Sequence, residues 1–333
     1  MSDEHAYPFP WRLMGLVALV VAIASVIAGL ALGAVPLEPG AVARALFDPN
    51  AVEAGIVREL RLPRVLLGFL VGGSLAVCGA VLQALIRNPL ADPYLLGLSG
   101  GAALGAVLVI ALGLTAPWAL PMAAFAGASA ALFLVYRLSL VEGRRMDAHV
   151  LILAGVVVSS FTGALVGAIL SLASAAQLRN AFLWMLGGLG GASWPSLLIL
   201  ATYTVVPLGL LLRHARDFDL LALGDETARH LGANPERLKR LAFITTGILT
   251  AAAVAQCGMI AFVGLIIPHA IRRVAGPLHT VLLPASFLLG GAFLVIADAL
   301  ARSVASPLEL PVGVVTALVG VPLFAILLRR TLR

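Results

Sequence analysis

Apolar runs of about 20 residues recur from one end of this sequence to the other. A run of that length crosses a hydrocarbon core as a helix, because lipid offers no water to unpaired backbone groups and a helix pairs them internally. The runs fall near 13–35, 64–86, 94–113, 117–137, 148–173, 195–213, 238–257, 259–275, 280–302 and 309–328. They predict an all-α polytopic membrane protein of ten transmembrane helices, with 1–333 forming a single transmembrane domain. A soluble alternative fails on composition: 61% hydrophobic and 11% charged residues leave too little polar surface for 333 residues. The first run begins after Arg12; it is too long for a signal-peptide core and has no clean small-residue cleavage site, so it reads as a span. The division of 238–275 requires a tight turn at Cys257-Gly258.

An even number of crossings puts both termini on one side, and the cations say which. With the N-terminus inside, Arg12, Arg87, Arg137, Arg144, Arg145, Arg213, Arg216, Arg229, Arg237, Lys239, Arg240, Arg272, Arg273, Arg329, Arg330 and Arg333 are internal. Only Arg44, Arg58, Arg61, Arg64, Arg179 and Arg302 are external. That bias follows the positive-inside rule and makes the net charge of +6 a topology signal, not a nucleic-acid footprint. A fainter pattern suggests two halves of about five spans: Cys78-Gly79 precedes Pro89 as Cys257-Gly258 precedes Pro268, with Gly100-Gly101 and Gly290-Gly291 following.

The longest polar interruption, 219–240, falls inside. Asp225 can cap a short helix with Glu226 in its first turn, and Gly232 suits a left-handed exit. Asn234-Pro235 reads as an N-cap followed by proline at the first helical position. Leu221, Ala228 and Leu231 would give these turns an apolar face among charges. A capped, amphipathic element of this kind is built to be gripped by another protein; the competing reading is a solvated connector.

Arg58, Arg61 and Arg64 recur every three residues and would line one helical face, while Arg302 lies one turn after Asp298. Such charge on the outer side fits an acidic partner or anionic ligand, and equally fits headgroup contact with local pairing to Glu59. Residues 87–93 (RNPLADP) form a tight architectural turn ahead of a glycine-rich helix. Within 177–194, Arg179 precedes Phe182, Trp184 and Met185, a set that suits a large apolar ligand with carboxylates or an interfacial belt. His149 and His269 have no second ligand at helical spacing, and Cys78 and Cys257 lack metal-type spacing, so no metal is expected. Asp298 is the one acidic residue deep in a run, too few for a proton relay. No G-x-x-x-x-G-K-[ST] occurs, so no ATP site of that type is expected.

Taken together, RLPR (61–64), GAVLQALIRNPLADPYLLGLSGGA (79–102), WMLGGLGGASW (184–194), LGDETARHLG (223–232), GLIIPHAIR (264–272) and ELPVGVVTALVGVPLF (309–324) resemble the FecCD/BtuC-type permeases. These are membrane subunits of bacterial ATP-driven importers for ferric siderophores, haem and cobalamin. The resemblance implies a homodimer in the bacterial inner membrane, both termini cytoplasmic, with two cytoplasmic ATPase subunits that hold the ATP and magnesium and a periplasmic binding protein. It implies no catalytic residue and no cofactor in this chain. Leu223, Gly224, Asp225, Glu226, Ala228, Arg229, Leu231 and Gly232 look like the coupling helices that seat in the ATPase. Arg58, Arg61, Arg64 and Arg302 look like binding-protein docking residues. Ser159, Ser160, Thr162, Arg179, Trp184, Met185, Pro311, Val312 and Thr316 fall on the segments that line the path. The implied substrate is an iron chelate, haem or ferric siderophore, with cobalamin as the alternative. The alternatives of other classes are an ion-gradient-driven carrier and an intramembrane enzyme using His149, His269 or Asp298.

Overall fold

The computed structural model describes residues 10–141 and 145–331. Residues 1–9, Arg144 and Arg333 lie outside the described residues, as do the side chains of Arg145, Arg329 and Arg330. The chain is helical almost throughout. Helix α1 (Trp11–Ala31) is followed by short α2 (Pro39–Phe47), then by a π-helical turn (Ile56–Arg61) that runs directly into α3 (Leu62–Ile86). Next come α4 (Leu98–Ala111), α5 (Ala119–Leu138), a two-stranded antiparallel hairpin of β1 (Leu140–Val141) and β2 (Arg145–Met146), and α6 (Ala148–Ser171). Then follow α7 (Ala175–Met185), α8 (Trp194–Arg213), α9 (Ala215–Ala222), α10 (Asp225–His230), α11 (Pro235–Cys257), α12 (Val263–Ala275), α13 (His279–Ser303) and α14 (Val312–Thr331).

Every predicted span contains a helix, but not every helix has crossing length. Among the described residues, seven are long and apolar enough: α1, α3 with its π turn, α5, α6, α8, α11 and α13. Helix α4 is a shorter apolar helix, and α14 is apolar over Val312–Ile326. Helix α12 has 13 residues, about 20 Å at 1.5 Å per residue, against a hydrocarbon core of about 30 Å. The tight turn at Cys257-Gly258 is present, with Gly258 at φ +69°. The sequence echo between halves does not carry over locally: Cys78-Gly79 lies inside α3, whereas Cys257-Gly258 ends α11. Likewise Pro89 lies in the turn after α3 and Pro268 inside α12.

Helix α3 is the axis of the bundle. In its apolar window 83% of residues are buried, against 28% for α5 and α8 at the periphery. Helices α1, α11, α12 and α13 pack around it. Lipid tails are as apolar as leucine, so these helices associate through close packing more than through a hydrophobic drive. The closest approach is at Gly79, where a Cβ would lie 1.8 Å from the Gly264 carbonyl oxygen of α12. The backbone carbonyl cannot retreat as a flexible side chain could. Gly79→Ala is therefore expected to destabilise by roughly 1–3 kcal/mol or more, and Gly163→Ala, with nothing within 4 Å, to be silent. Thermal denaturation of the two variants in detergent, read by size-exclusion fluorescence, checks this; equal midpoints would contradict the packing assignment.

Candidate functional site

The polar element at 219–240 is two short helices set at the end of α8. Helix α9 buries Ala215, Phe218 and Leu221 against the bundle. Gly224 at φ +107° breaks the chain into α10, and Gly232 at φ +85° ends it in the left-handed exit that its sequence predicts. The Asn234 carboxamide then accepts from Arg237 N at 3.1 Å and caps α11, with Pro235 in the first turn. Two expectations are corrected. Asp225 does not act as an N-cap; it lies in the first turn of α10, and its carboxylate accepts from the Lys239 ammonium. The apolar face also divides: Leu221 and Ala228 are buried, while Leu231 is 58% exposed and stands with Leu223, 62% exposed. Glu226 and Arg229 are exposed beside them.

This element is fastened to the bundle at two points. On α9, one Asp219 carboxylate oxygen accepts from the backbone N of His279 at 2.8 Å and lies 2.7 Å from the same residue's Nδ1, fixing the start of α13. On α10, Asp225 meets Lys239, whose Nζ also donates to Met146 O at 3.0 Å and lies 3.6 Å from Glu236. Glu236 accepts from Met146 N at 3.0 Å. Asp147, the next residue, accepts from His149 N and Val150 N and caps α6. Those amide donors, Val150 first, hold the Asp147 carboxyl below the usual carboxylate range.

At the other end of α3 and α13 lies the arginine cluster, and here the sequence reading needs its largest correction. Arg58, Arg61 and Arg64 do not line one face, because the turn over Ile56–Arg61 is π-helical and shifts the register. They diverge. Arg58 donates to Ala45 O and Leu46 O at the end of α2, at 2.8 and 2.7 Å. Buried Arg61 donates to Leu30 O and Ala31 O, at 2.7 and 3.0 Å, and to Val35 O. Arg64 pairs with Asp298 and Glu309, each at 2.9 Å. Arg302, also buried, pairs with Asp298 at 3.0 Å and donates to Gly29 O and Leu32 O. Arg61 and Arg302 thus spend their donors on carbonyls at and just beyond the end of α1, where a cation also complements the helix dipole. They are not presented outward; only Arg58 and Arg64 remain partly exposed.

The predicted path residues are spread over α6, α7 and the start of α14. Ser160 and Arg179 are exposed, and Ser159 is half-buried. Buried Thr162 donates to Val158 O, and buried Thr316 to Gly313 O. Val312 is buried and Pro311 half-buried. Met185 lines a cavity of about 710 Å³ with Tyr94, Ser99, Met259, Gly313 and Ala317. Trp184 lines a separate cavity of about 950 Å³ with Trp118, Phe125, Tyr203 and Gln256. Arg179 lines neither, so one chain does not assemble Arg179, Trp184 and Met185 into a single mouth. Sequence reasoning passed over Tyr94, Ser99 and Met259, although Tyr94 and Ser99 lie within the 79–102 block; it also passed over Lys239 and the Asp219–His279 pair. Among the described residues, no three His, Cys, Asp or Glu side chains are grouped as a metal would require.

Among the described residues, Asp298 is the carboxylate that bonds both Arg64 and Arg302. Asp298→Asn leaves two enclosed guanidinium groups short of a counter-charge and is expected to cost about 3–5 kcal/mol. Glu309 is 45% exposed in its side chain, and Glu309→Gln is expected to cost on the order of 0–1 kcal/mol. Thermal midpoints of the two variants in one detergent give the comparison, and a silent Asp298→Asn would remove the cluster's structural role.

Residues 19–330 match the FecCD transport family. The chain is 47% identical over 274 residues to a cobalamin import system permease protein, BtuC, of Halobacterium salinarum, covering 82% of this chain and 73% of the relative. It is 42% identical to the hemin transport system permease protein HmuU of Yersinia pestis, covering 82% of each. It is 39% identical to the Fe(3+) dicitrate transport system permease protein FecD of Escherichia coli, covering 94% of this chain and 99% of the relative. Its structure is similar, with a TM-score of 0.85 and 30% identity, to a metal-chelate type ABC transporter in an inward-facing conformation, covering 95% of this chain and 98% of that one. The chain belongs to the FecCD transport family and is a multi-pass membrane permease of the ABC-importer kind.

Proposed function

We propose that two copies of this chain form the translocation path of an importer for an iron chelate, haem or a ferric siderophore, and that separate ATPase subunits drive it. The observation that carries this reading is the α9–α10 element. It exposes Leu223 and Leu231 among Glu226 and Arg229 while being pinned to α13 and α11 behind. An exposed apolar pair on a rigid, double-anchored support is what a lever needs: a surface to be gripped and a stiff attachment to what must move. In this reading Gly224–Gly232 seats on the ATPase. Helices α4, α12 and α14 complete ten crossings with both termini cytoplasmic in the inner membrane.

A periplasmic binding protein docks at the other end, on the face around Arg58 and Arg64. Arg61 and Arg302 hold that face from beneath. Helices α6, α7 and α14 from the two copies surround the path, with the cavity of Met185, Met259 and Tyr94 opening toward it. ATP closure and release bias the copies between inward- and outward-open states, and this chain supplies differential stability, not hydrolysis. A corrinoid is the second substrate reading, favoured by the 47% identity to the Halobacterium salinarum permease.

The test is purification from native membranes in mild detergent, followed by reconstitution with haem, ferric siderophore or cobalamin. The unsubstituted chain is expected to retain an ATP-hydrolysing subunit whose turnover one of these substrates stimulates. Leu223→Asp with Leu231→Asp is expected to lower its retention by about tenfold or more, as loss of a buried apolar anchor does. A chain that comes through alone under several mild conditions, and transports on an ion gradient, would overturn the proposal.

A further inference from the structure

Lys239 is the chain's only lysine, and it is 6% exposed. A buried ammonium must be neutralised and its donors used, or it costs several kcal/mol. Both conditions are met, and they are met by three different elements. Its Nζ reaches Asp225 of α10 at 2.5 Å, Met146 O of β2 at 3.0 Å and Glu236 of α11 at 3.6 Å. Three donors diverging from one atom suit such a junction, whereas the planar fork of arginine favours two parallel bonds to one partner.

The junction has a direction. Both backbone groups of Met146 are held from α11, its O by Lys239 and its N by Glu236. The following residue, Asp147, caps α6 through His149 N and Val150 N. From α10 to the first turn of α6 there is thus a continuous chain of bonded polar groups: Asp225, Lys239, Met146, Asp147. Helix α10 rests on α9 and α11, and α6 on α4 and α5. Helix α11 also packs on α4 and α5 directly, so what the lysine adds is a polar link from α10 to the segment that starts α6.

We propose that Lys239 is the positioning residue through which displacement of α10 reaches the start of α6. This rests on the importer reading above, in which α10 is seated on an ATPase and α6 borders the path. Its role goes beyond neutralising two carboxylates. Without the ammonium, α10 can still be gripped and hydrolysis can still proceed, but the movement is no longer delivered to α6.

The purified complex with its ATPase subunits, reconstituted in vesicles, supplies the test. Lys239→Met is expected to leave ATP hydrolysis within about twofold and to lower substrate moved per ATP by about tenfold, a size ordinary for a coupling free energy. Lys239→Arg, which keeps the charge but replaces diverging donors with a planar fork, is expected to restore only part of that ratio. A second measurement needs no change at 239. Spin labels at His149→Cys on α6 and His230→Cys on α10, both exposed in the isolated chain, should keep one separation with and without nucleotide in labelled complexes that still retain the ATPase subunit. In Lys239→Met that separation should shift when nucleotide is added. The inference is overturned if Lys239→Met moves as much substrate per ATP as the unsubstituted chain, or if the labels separate on nucleotide binding with Lys239 in place. Should Lys239→Met fail to fold, the labelled chain with Lys239 intact decides alone. If the unsubstituted chain binds no ATPase, the importer reading falls and this inference with it; a coupled complex indifferent to Lys239 overturns the inference only.

Discussion

In hydrocarbon every backbone carbonyl at the end of a helix needs a donor, and this chain meets that need with buried cations. Gly29 O, Leu30 O and Leu32 O at the end of α1 accept from Arg61 and Arg302, and Ala31 O accepts from Arg61 as well as from Leu37 N. Those two guanidinium groups come from opposite sides, one from the turn that starts α3 and one from the last turn of α13. Pairing the carbonyls therefore also fixes α1 against both. Asp298 makes the arrangement tolerable by balancing Arg302 and Arg64 together. Cations also tie elements together elsewhere: Arg272 of α12 donates to Ala80 O and Gln83 within α3, and Lys239 of α11 to Met146 O of β2. Loops and helix ends are thus held in place by side chains that also carry charge.

What closes the bundle between those ends is backbone proximity. The positions where α3 meets its neighbours are small: Gly79 against Gly264, and Gly72 against Gly290. Small residues let dispersion act over many close atom pairs where no hydrophobic drive exists between helices. Charge at the ends then sets register, and small residues in the middle set distance.

These two kinds of interaction were unequally legible in the sequence. Helix existence was legible, because a long apolar run in a chain with 61% hydrophobic residues has one economical backbone solution. Caps at Gly232 and Asn234 were legible too, since a cap depends on neighbours two or three residues away. The direction of Arg58, Arg61 and Arg64 was not. An α-helical spacing rule placed them on one face, but an inserted π turn, which no local residue announces, sent them to α2, α1 and α13. Lys239 was visible only as one cation among many for topology. Its partners lie 14 and 93 positions away, and sequence periodicity carries no information at such separations. Met185 and Trp184 are adjacent in sequence yet line different cavities, because neighbours on a helix face directions about 100° apart.

Helix α13 joins the two ends of the molecule. At its first residue, His279 is bound to Asp219 of α9; near its last, Asp298 and Arg302 are bound to α3 and α1. Its 25 residues span about 37 Å at 1.5 Å per residue, so one continuous rod carries buried polar anchors at both faces of the bundle. A rod fixed by apolar contact alone could slide along its neighbours at small cost. One fixed by ionic and carbonyl partners cannot, since each lost bond leaves a buried polar group unpaired. Any displacement of α9 must therefore rotate α13 as a unit or bend it. Pro284, which removes one backbone hydrogen bond within the second turn, is where bending costs least.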